Sequence, residues 1–245
     1  MANLYLREDL ADATVGGEVV LEGAEAKHMV TVSRTRVGDF VTVSNGRGLV
    51  VDGILETAEP ARAVVRAQSV RQIEPPSPRI VLVQALAKGG RDELAVQTAI
   101  ELGVDQIVPW QAARSVSRWT GDKQLKGVQR WASIVREATK QSVRPWLASV
   151  EEPVTTAQLA VRAATTRMLV LEPGANEPLA GIRFEQRDTH DVVVVIGPEG
   201  GVSPEESQRL SAAGALSVRL GDAVLRTSSA GPAAIAVLNT ALGRW

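Results

Sequence analysis

Three prolines within four residues, Pro75, Pro76 and Pro78, divide the chain into two stretches of different hydrophobic period. Proline gives no ladder donor and fixes its own φ, so residues 73–79 read as a stiff linker. Before it, short apolar runs alternate with turn signals. They cover 19–21 and 40–43, then Asn45-Gly46 as a type I′ hairpin signal ahead of 49–55. A short helix over 24–33 interrupts them and carries a lone histidine, His28, read as an ordinary side chain. Residues 1–72 thus predict a small β-rich domain.

Beyond the linker the period changes. Residues 80–86 are continuously apolar, 92–102 follow a helical spacing ended by Gly103, and 106–108 are apolar again. Such a βαβ unit implies a parallel sheet covered by helices. The pattern continues with a helix over 126–142, strands at 168–171, 192–196 and 216–220, a helix over 204–213 between the last two, and a final helix from about Gly231. Residues 80–245 therefore predict an α/β domain, and because chains are generally unknotted, the pattern alone leads to an ordinary doubly wound sheet.

Several chemistries are excluded by composition. With no cysteine, and with His28 and His190 as the only histidines, thiolate chemistry and ordinary zinc sites have no ligands, so no metal is expected. The longest aliphatic run, Val192–Ile196, is far short of the roughly 18 residues of a membrane span, and the N-terminus carries Arg7, Glu8 and Asp9 where a signal peptide would be apolar. The expectation is a cytoplasmic protein with no membrane partner.

The formal net charge of −1 hides an uneven distribution: residues 73–150 carry 11 Lys and Arg against 7 Asp and Glu. At 100° per residue, Lys126, Arg130, Lys140 and Arg144 share one helix face, while Val128, Trp131, Val135 and Ala138 cluster opposite. With Arg114 and Arg118 just upstream, that face is read as a phosphate-binding surface in preference to a merely solvated one. Trp131 falls on the apolar side and is assigned to the core; Trp119 and Trp146 are candidates for stacking on bases.

Two loops stand out. Ile196-Gly197-Pro198-Glu199-Gly200-Gly201 leaves the most apolar strand, and Ser203-Pro204-Glu205-Glu206 after it has N-cap, N1 and N3 residues for a capping box. Leu220-Gly221, followed by Val224-Leu225-Arg226, leaves the next strand. In a parallel sheet both lie at the carboxyl end, where ligands settle, so they face one pocket with Arg226 as its charged group. Tight structural turns, with Arg226 at the surface and Ser228 or Ser229 capping the last helix, would read the same. Neither loop has the lysine of a Walker A sequence or the spacing of a dinucleotide fingerprint.

Taken together, these motifs resemble the RsmE-type ribosomal RNA uridine-N3 methyltransferases of the SPOUT superfamily. The resemblance rests on Lys88-Gly89 with Glu93, Glu101-Leu102-Gly103-Val104, Arg114-Ser115, Glu137-Ala138 with Gln141-Ser142 and Arg144, the 196–201 loop, and Leu220-Gly221 with Leu225-Arg226-Thr227. Val32-Ser33-Arg34 and Gly38-Asp39 resemble the family's PUA-like RNA-binding β-barrel. It implies an α/β domain with a deep trefoil knot, a homodimer, and S-adenosylmethionine (SAM) as cofactor. The implied cofactor contacts are Leu171, Ile196, Gly197, Pro198, Glu199, Gly200, Leu220, Gly221, Val224, Leu225 and Arg226. Arg34 joins Arg114, Lys126, Arg130, Lys140 and Arg144 as RNA-binding candidates. The implied reaction is N3 methylation of a uridine in 16S rRNA within the small ribosomal subunit. Arg226 and Arg144 are the candidates for stabilising the imide anion and Glu199 for accepting a proton. Where relatives commonly carry an acid after the Arg-Thr pair, this chain has Ser228.

Two rival readings remain at this level. A non-catalytic RNA-binding or ribosome-assembly factor would use the same barrel and basic helix without a cofactor cradle. A nucleotide-dependent enzyme on a doubly wound sheet lacks a phosphate lysine and an acidic ribose partner in this sequence.

Overall fold

Val19 and Leu21 of Glu18–Glu22, and Val41 and Val43 of Phe40–Ser44, are buried at alternate positions, the period of strands covered on one face. In the computed structural model, which describes residues 4–185 and 188–245, they belong to the first of two units, formed by residues 4–75 with 139–147. Its elements are β1 (Leu4–Leu6), β2 (Glu18–Glu22), α1 (Gly23–Lys27), β3 (Phe40–Ser44), β4 (Leu49–Glu59) and β5 (Arg62–Gln72). A curled sheet ordered β1-β3-β4-β5-β2 is parallel only between β1 and β3. Tyr5, Leu21, Met29, Val43, Val51, Leu55 and Val65 fill its core. The segment 139–147, counted with 80–245 by sequence pattern, groups here. Gly48 N–H donates to the Pro145 carbonyl, Leu147 N–H to Gly46, and the Trp146 indole to Ile73.

Two local expectations are corrected. Asn45-Gly46 is not a type I′ turn, because Asn45 does not take the positive φ that such a turn requires. Its side-chain oxygen instead accepts from the N–H groups of Arg47 and Leu49, spanning a longer connection between β3 and β4. The helix expected over 24–33 is α1 followed by a π-helical turn, His28–Val32, and ends where Arg34 adopts φ +55°.

The second unit, residues 76–138 with 148–245, holds β6 (Ile80–Ala85), α2 (Arg91–Glu101), β7 (Gln106–Trp110), most of α3 (Asp122–Gln141), β8 (Ser149–Val150), α4 (Thr156–Ala163), β9 (Arg167–Leu171), β10 (Glu177–Pro178), β11 (Val192–Ile196), α5 (Pro204–Ala212), β12 (Leu216–Arg219) and α6 (Thr227–Ala241). Its sheet is parallel throughout, in the order β10-β12-β9-β11-β6-β7-β8. Every residue of β6 and β11 is buried, as strands covered on both faces must be. Leu159 of α4 and Leu210 of α5 pack on Val81, Val83, Val193 and Val195, while α6 lies against α2, β6 and β11.

The last helix begins at Thr227, four residues before the sequence pattern placed it, with Arg226 at its N-cap and Ser228 and Ser229 inside the first turn. Gly231-Pro232 reads as a breaker, yet the helix runs through it: Pro232 is the sixth helical residue and cannot donate to the Ser228 carbonyl one turn back. Gly231 has a packing reason: a Cβ there would lie 3.1 Å from Leu82 Cδ1 and 3.5 Å from Ile196 Cγ1. The helix can therefore approach the sheet closely. Gly231→Val should lower stability by about 1–3 kcal/mol through overpacking, read as a lower denaturant midpoint with an unchanged slope.

Candidate active site

The carboxyl ends of β9, β11 and β12 lie side by side, and the loops leaving them surround a cavity of ≈ 1030 Å³. One wall is Gly197–Glu199 with Gly201 and Val202, the second Leu220, Gly221 and Ala223–Arg226, and the third Glu172–Glu177; Arg91 also lines it. Of the expected cofactor contacts, Leu171, Ile196, Gly197, Pro198, Glu199, Leu220, Gly221, Val224, Leu225 and Arg226 all line this cavity. Gly200 does not, and its carbonyl accepts instead from Arg114 Nη1 at 2.9 Å.

The hydroxyl of Thr227 holds two of these parts in place. It donates to the Gly197 carbonyl at 2.9 Å and accepts from Gln84 Nε2 of β6 at 3.0 Å. On the far side of the glycine loop, Ser203 and Glu206 form the expected capping box at the start of α5. Glu206 does more than cap, since its Oε1 also accepts from Ala113 N–H and the Thr156 hydroxyl.

Glu199 is fixed at the cavity edge by Lys88, just before α2, and by Arg91, its first residue. Its Oε1 accepts from Lys88 N–H at 3.1 Å and from Arg91 Nη1 at 3.0 Å. Burial alone would raise its pKa. The N–H groups of Glu199 and Lys88 and the Arg91 guanidinium outweigh that and hold it below the usual carboxylate range. It is therefore a weaker proton acceptor than its place in the loop implied. Arg226 lines the cavity and is exposed. Arg144 belongs to the first unit and is not among the lining residues.

The expected cationic face is corrected in three places. Lys140 is buried and lies 3.2 Å from Glu25, with His28 Nδ1 at 3.4 Å. Arg144 lies past the helix end at Gln141, beyond a left-handed Val143, so a helical projection does not place it. Arg130 meets both carboxylate oxygens of Glu93, one at 2.7 Å, and so lowers that carboxyl's pKa. Lys126 and Arg34 are exposed, as is Arg114 beside Gly200. Nor are the two tryptophans bare platforms: Trp119 packs edge-on against buried Trp131 with centroids 5.1 Å apart, and Trp146 donates to Ile73.

The sequence reading missed the third wall. Its signal was present as the turn pair Pro173-Gly174 directly after an apolar strand. Arg91, in the segment that carries part of the family resemblance, has no pocket role legible in the sequence.

The cavity suits SAM. Leu171, Ile196, Leu220, Val224 and Leu225 offer apolar surface to a base, Arg91, Glu199 and Arg226 offer charge to a zwitterion, and a Cβ on Gly221 would meet nothing within 4 Å, leaving open space. Among the described residues no cluster of metal-ligating side chains occurs.

Comparison with known proteins agrees. A family model described as an RNA methyltransferase domain matches residues 74–239, and an RNA methyltransferase PUA domain matches 21–67. The ribosomal RNA small subunit methyltransferase E of Mycobacterium tuberculosis is 37% identical over 252 aligned positions, covering 100% of this chain and 94% of that protein. This chain belongs to that family. The member from Synechocystis is 31% identical over 96% of this chain and 76% of its own. The crystal structure of the Neisseria gonorrhoeae member, described as bound to SAM, superposes with a TM-score of 0.85 at 27% identity over 98% of both chains. The N-terminal unit is accordingly the family's PUA-like domain, and the C-terminal unit its SPOUT methyltransferase domain.

The two cavity glycines differ in what constrains them. A Cβ on Gly197 would lie 3.0 Å from Val202 N and 3.1 Å from its Cγ2, so Gly197→Ala should cost about 1–3 kcal/mol. Gly221 takes no positive φ and faces open space, so Gly221→Ala should melt at the wild-type temperature. Thermal melts of both variants check the pair; a destabilised Gly221→Ala would show that this loop is constrained by the fold itself.

Proposed function

We propose that this protein transfers a methyl group from SAM to N3 of a uridine in 16S rRNA, within the small ribosomal subunit. The observation that carries the reading is a cofactor-sized cavity at three adjacent strand ends, in a chain matched over its whole length by ribosomal RNA small subunit methyltransferase E. A purely RNA-binding factor would have no use for such a cavity.

When bound, SAM supplies an activated methyl group, so the chain must orient it, exclude water and stabilise charge on the acceptor. Uridine N3 carries a proton, which passes to solvent as the imide anion that accepts the methyl group forms. Arg226, beside the cavity, is the group assigned to that charge. Glu199, held ionised by Arg91 and Lys88, serves to fix the loop rather than to act as a strong base. Arg144 has no assignment to the cavity, and neither has Ser228.

Arg34, Arg114 and Lys126 are proposed to meet RNA phosphates. Trefoil knotting of the C-terminal domain is supported by β11 inserted between β6 and β9, with α6 returning onto α2. Homodimer formation is supported by exposed Leu94, Val116, Leu125 and Val224. Cytoplasmic location follows from the ribosomal substrate, and no helix among the described residues is long and apolar enough to cross a membrane.

Single-turnover methylation of small subunits from a strain lacking the enzyme should yield N3-methyluridine. Arg226→Ala should react at least about a hundredfold more slowly, as expected for losing a charge-stabilising donor worth roughly 2.7–4 kcal/mol, with little change in melting temperature. A methyl on carbon or ribose would refute the reaction. In a separate measurement, reversing Arg114 and Lys126 to Glu should flatten the salt dependence of RNA binding by about one log–log unit per lost contact. An unchanged slope would remove them from the interface.

A further inference from the structure

The third wall of the cavity contains a carboxylate in an unusual state of readiness. Glu172 follows β9 directly, and its N–H donates to the Val218 carbonyl of β12, so its backbone is part of the sheet's edge. Its Oε2 accepts two hydroxyls, Ser217 at 2.6 Å and Ser207 at 3.0 Å. Two donors on one oxygen fix the carboxylate's position. Among the described residues, Oε1 accepts no hydrogen bond, and the residue lines the cavity.

A carboxylate only accepts, so what reaches Oε1 must donate. SAM offers three kinds of donor: the ribose hydroxyls, the α-ammonium and the adenine amino group. The ammonium stands next to a carboxylate whose natural partners are arginines. Arg91 opens α2 and Arg226 lies on the loop after β12, whereas Glu172 lies on the loop after β9, where the third lining arginine, Arg219 of β12, is engaged by the Ala175 carbonyl at 3.4 Å. The amino acid end is therefore assigned to Arg91 and Arg226, and the nucleoside end to Glu172. Of the nucleoside donors, adjacent hydroxyls suit a fixed carboxylate best, as the acid that binds ribose in dinucleotide folds shows.

We propose that Glu172 is the ribose-recognising residue of this cavity, accepting hydrogen bonds from the cofactor's 2′- and 3′-hydroxyls, a role that rests on the SAM reading above. Ser207 and Ser217 are positioning residues that hold the carboxylate. An acidic ribose partner is not legible in the sequence because Glu172 belongs to no glycine-rich motif; only the sheet brings it to the site.

The test is a binding cycle by calorimetry, with S-adenosylhomocysteine and its analogue lacking both ribose hydroxyls, on wild type and Glu172→Gln. Wild type should bind the analogue about ten- to a hundredfold more weakly, the range for hydrogen bonds to a charged group. Glu172→Gln should bind S-adenosylhomocysteine about that much more weakly and be nearly indifferent to loss of the hydroxyls. Glu172→Asp, which keeps the charge but shortens the reach, gives a second variant should the first fail to fold; its loss should likewise be confined to the hydroxylated ligand. If both proteins lose the same factor on removal of the hydroxyls, the proposal is wrong while the cofactor reading stands. It is equally wrong if the variant's deficit disappears only with an analogue lacking the α-amino group, since Glu172 would then meet the ammonium. Wild type that binds no S-adenosylhomocysteine overturns both.

Discussion

One hydroxyl holds the α/β unit in working order. Thr227 stands where the last helix starts, yet it bonds backward to a glutamine inside β6 and sideways to the carbonyl of the glycine that opens the loop after β11. All three groups are buried, so each bond is made where an unmade one is costly. The central strands can be apolar throughout except at Gln84 because that amide has somewhere to donate. Remove the hydroxyl and the helix start, the glycine loop and the sheet interior lose their common reference point.

A second ordering principle is the pairing of charges. A helical projection sees cations along a helix and groups them into a face, but it is blind to what the other segments bring. Glu93 takes Arg130, Glu199 takes Arg91 and Glu25 takes Lys140. The first two pairs are open enough to solvent that they add little to stability. Their consequence is geometric, fixing guanidinium and carboxylate groups at the edge of α2. The Lys140 pair is different, since a buried ammonium must have a carboxylate nearby.

The parts of the fold legible in the sequence were those written in a single local code. Val192–Ile196 could only be a strand covered on both faces, and Ser203-Pro204 with Glu206 could only open a helix; both stand where expected. The loops at Gly197 and Gly221 were legible because consecutive parallel strands end on the same side. What escaped depended on distant partners. Gly231-Pro232 looks like a break until Leu82 and Ile196 are known to need the space above them. Asn45-Gly46 looks like a tight hairpin until the Asn45 side chain is seen to bridge a longer loop. Glu172 looks like a surface acid until the sheet sets Ser217 beside it. The resemblance to a family reached further than the local code, but it too could not tell a free lysine from the buried Lys140.

The order of strands in the sheet also sets a schedule. The cavity's first two walls in chain order follow β9 and β11, but the wall at 220–226 and the hydroxyl of Thr227 follow β12, the strand made last. A chain emerging from the ribosome through residue 219 already has every strand of its sheet, including the buried pair β6 and β11, yet lacks one side of the pocket and the bond that anchors the glycine loop. Most of the sheet pairing is long-range and slow to form. The wall at 220–226 and the Thr227 bond that anchors the glycine loop therefore join the pocket only after the segment following β12 has been made.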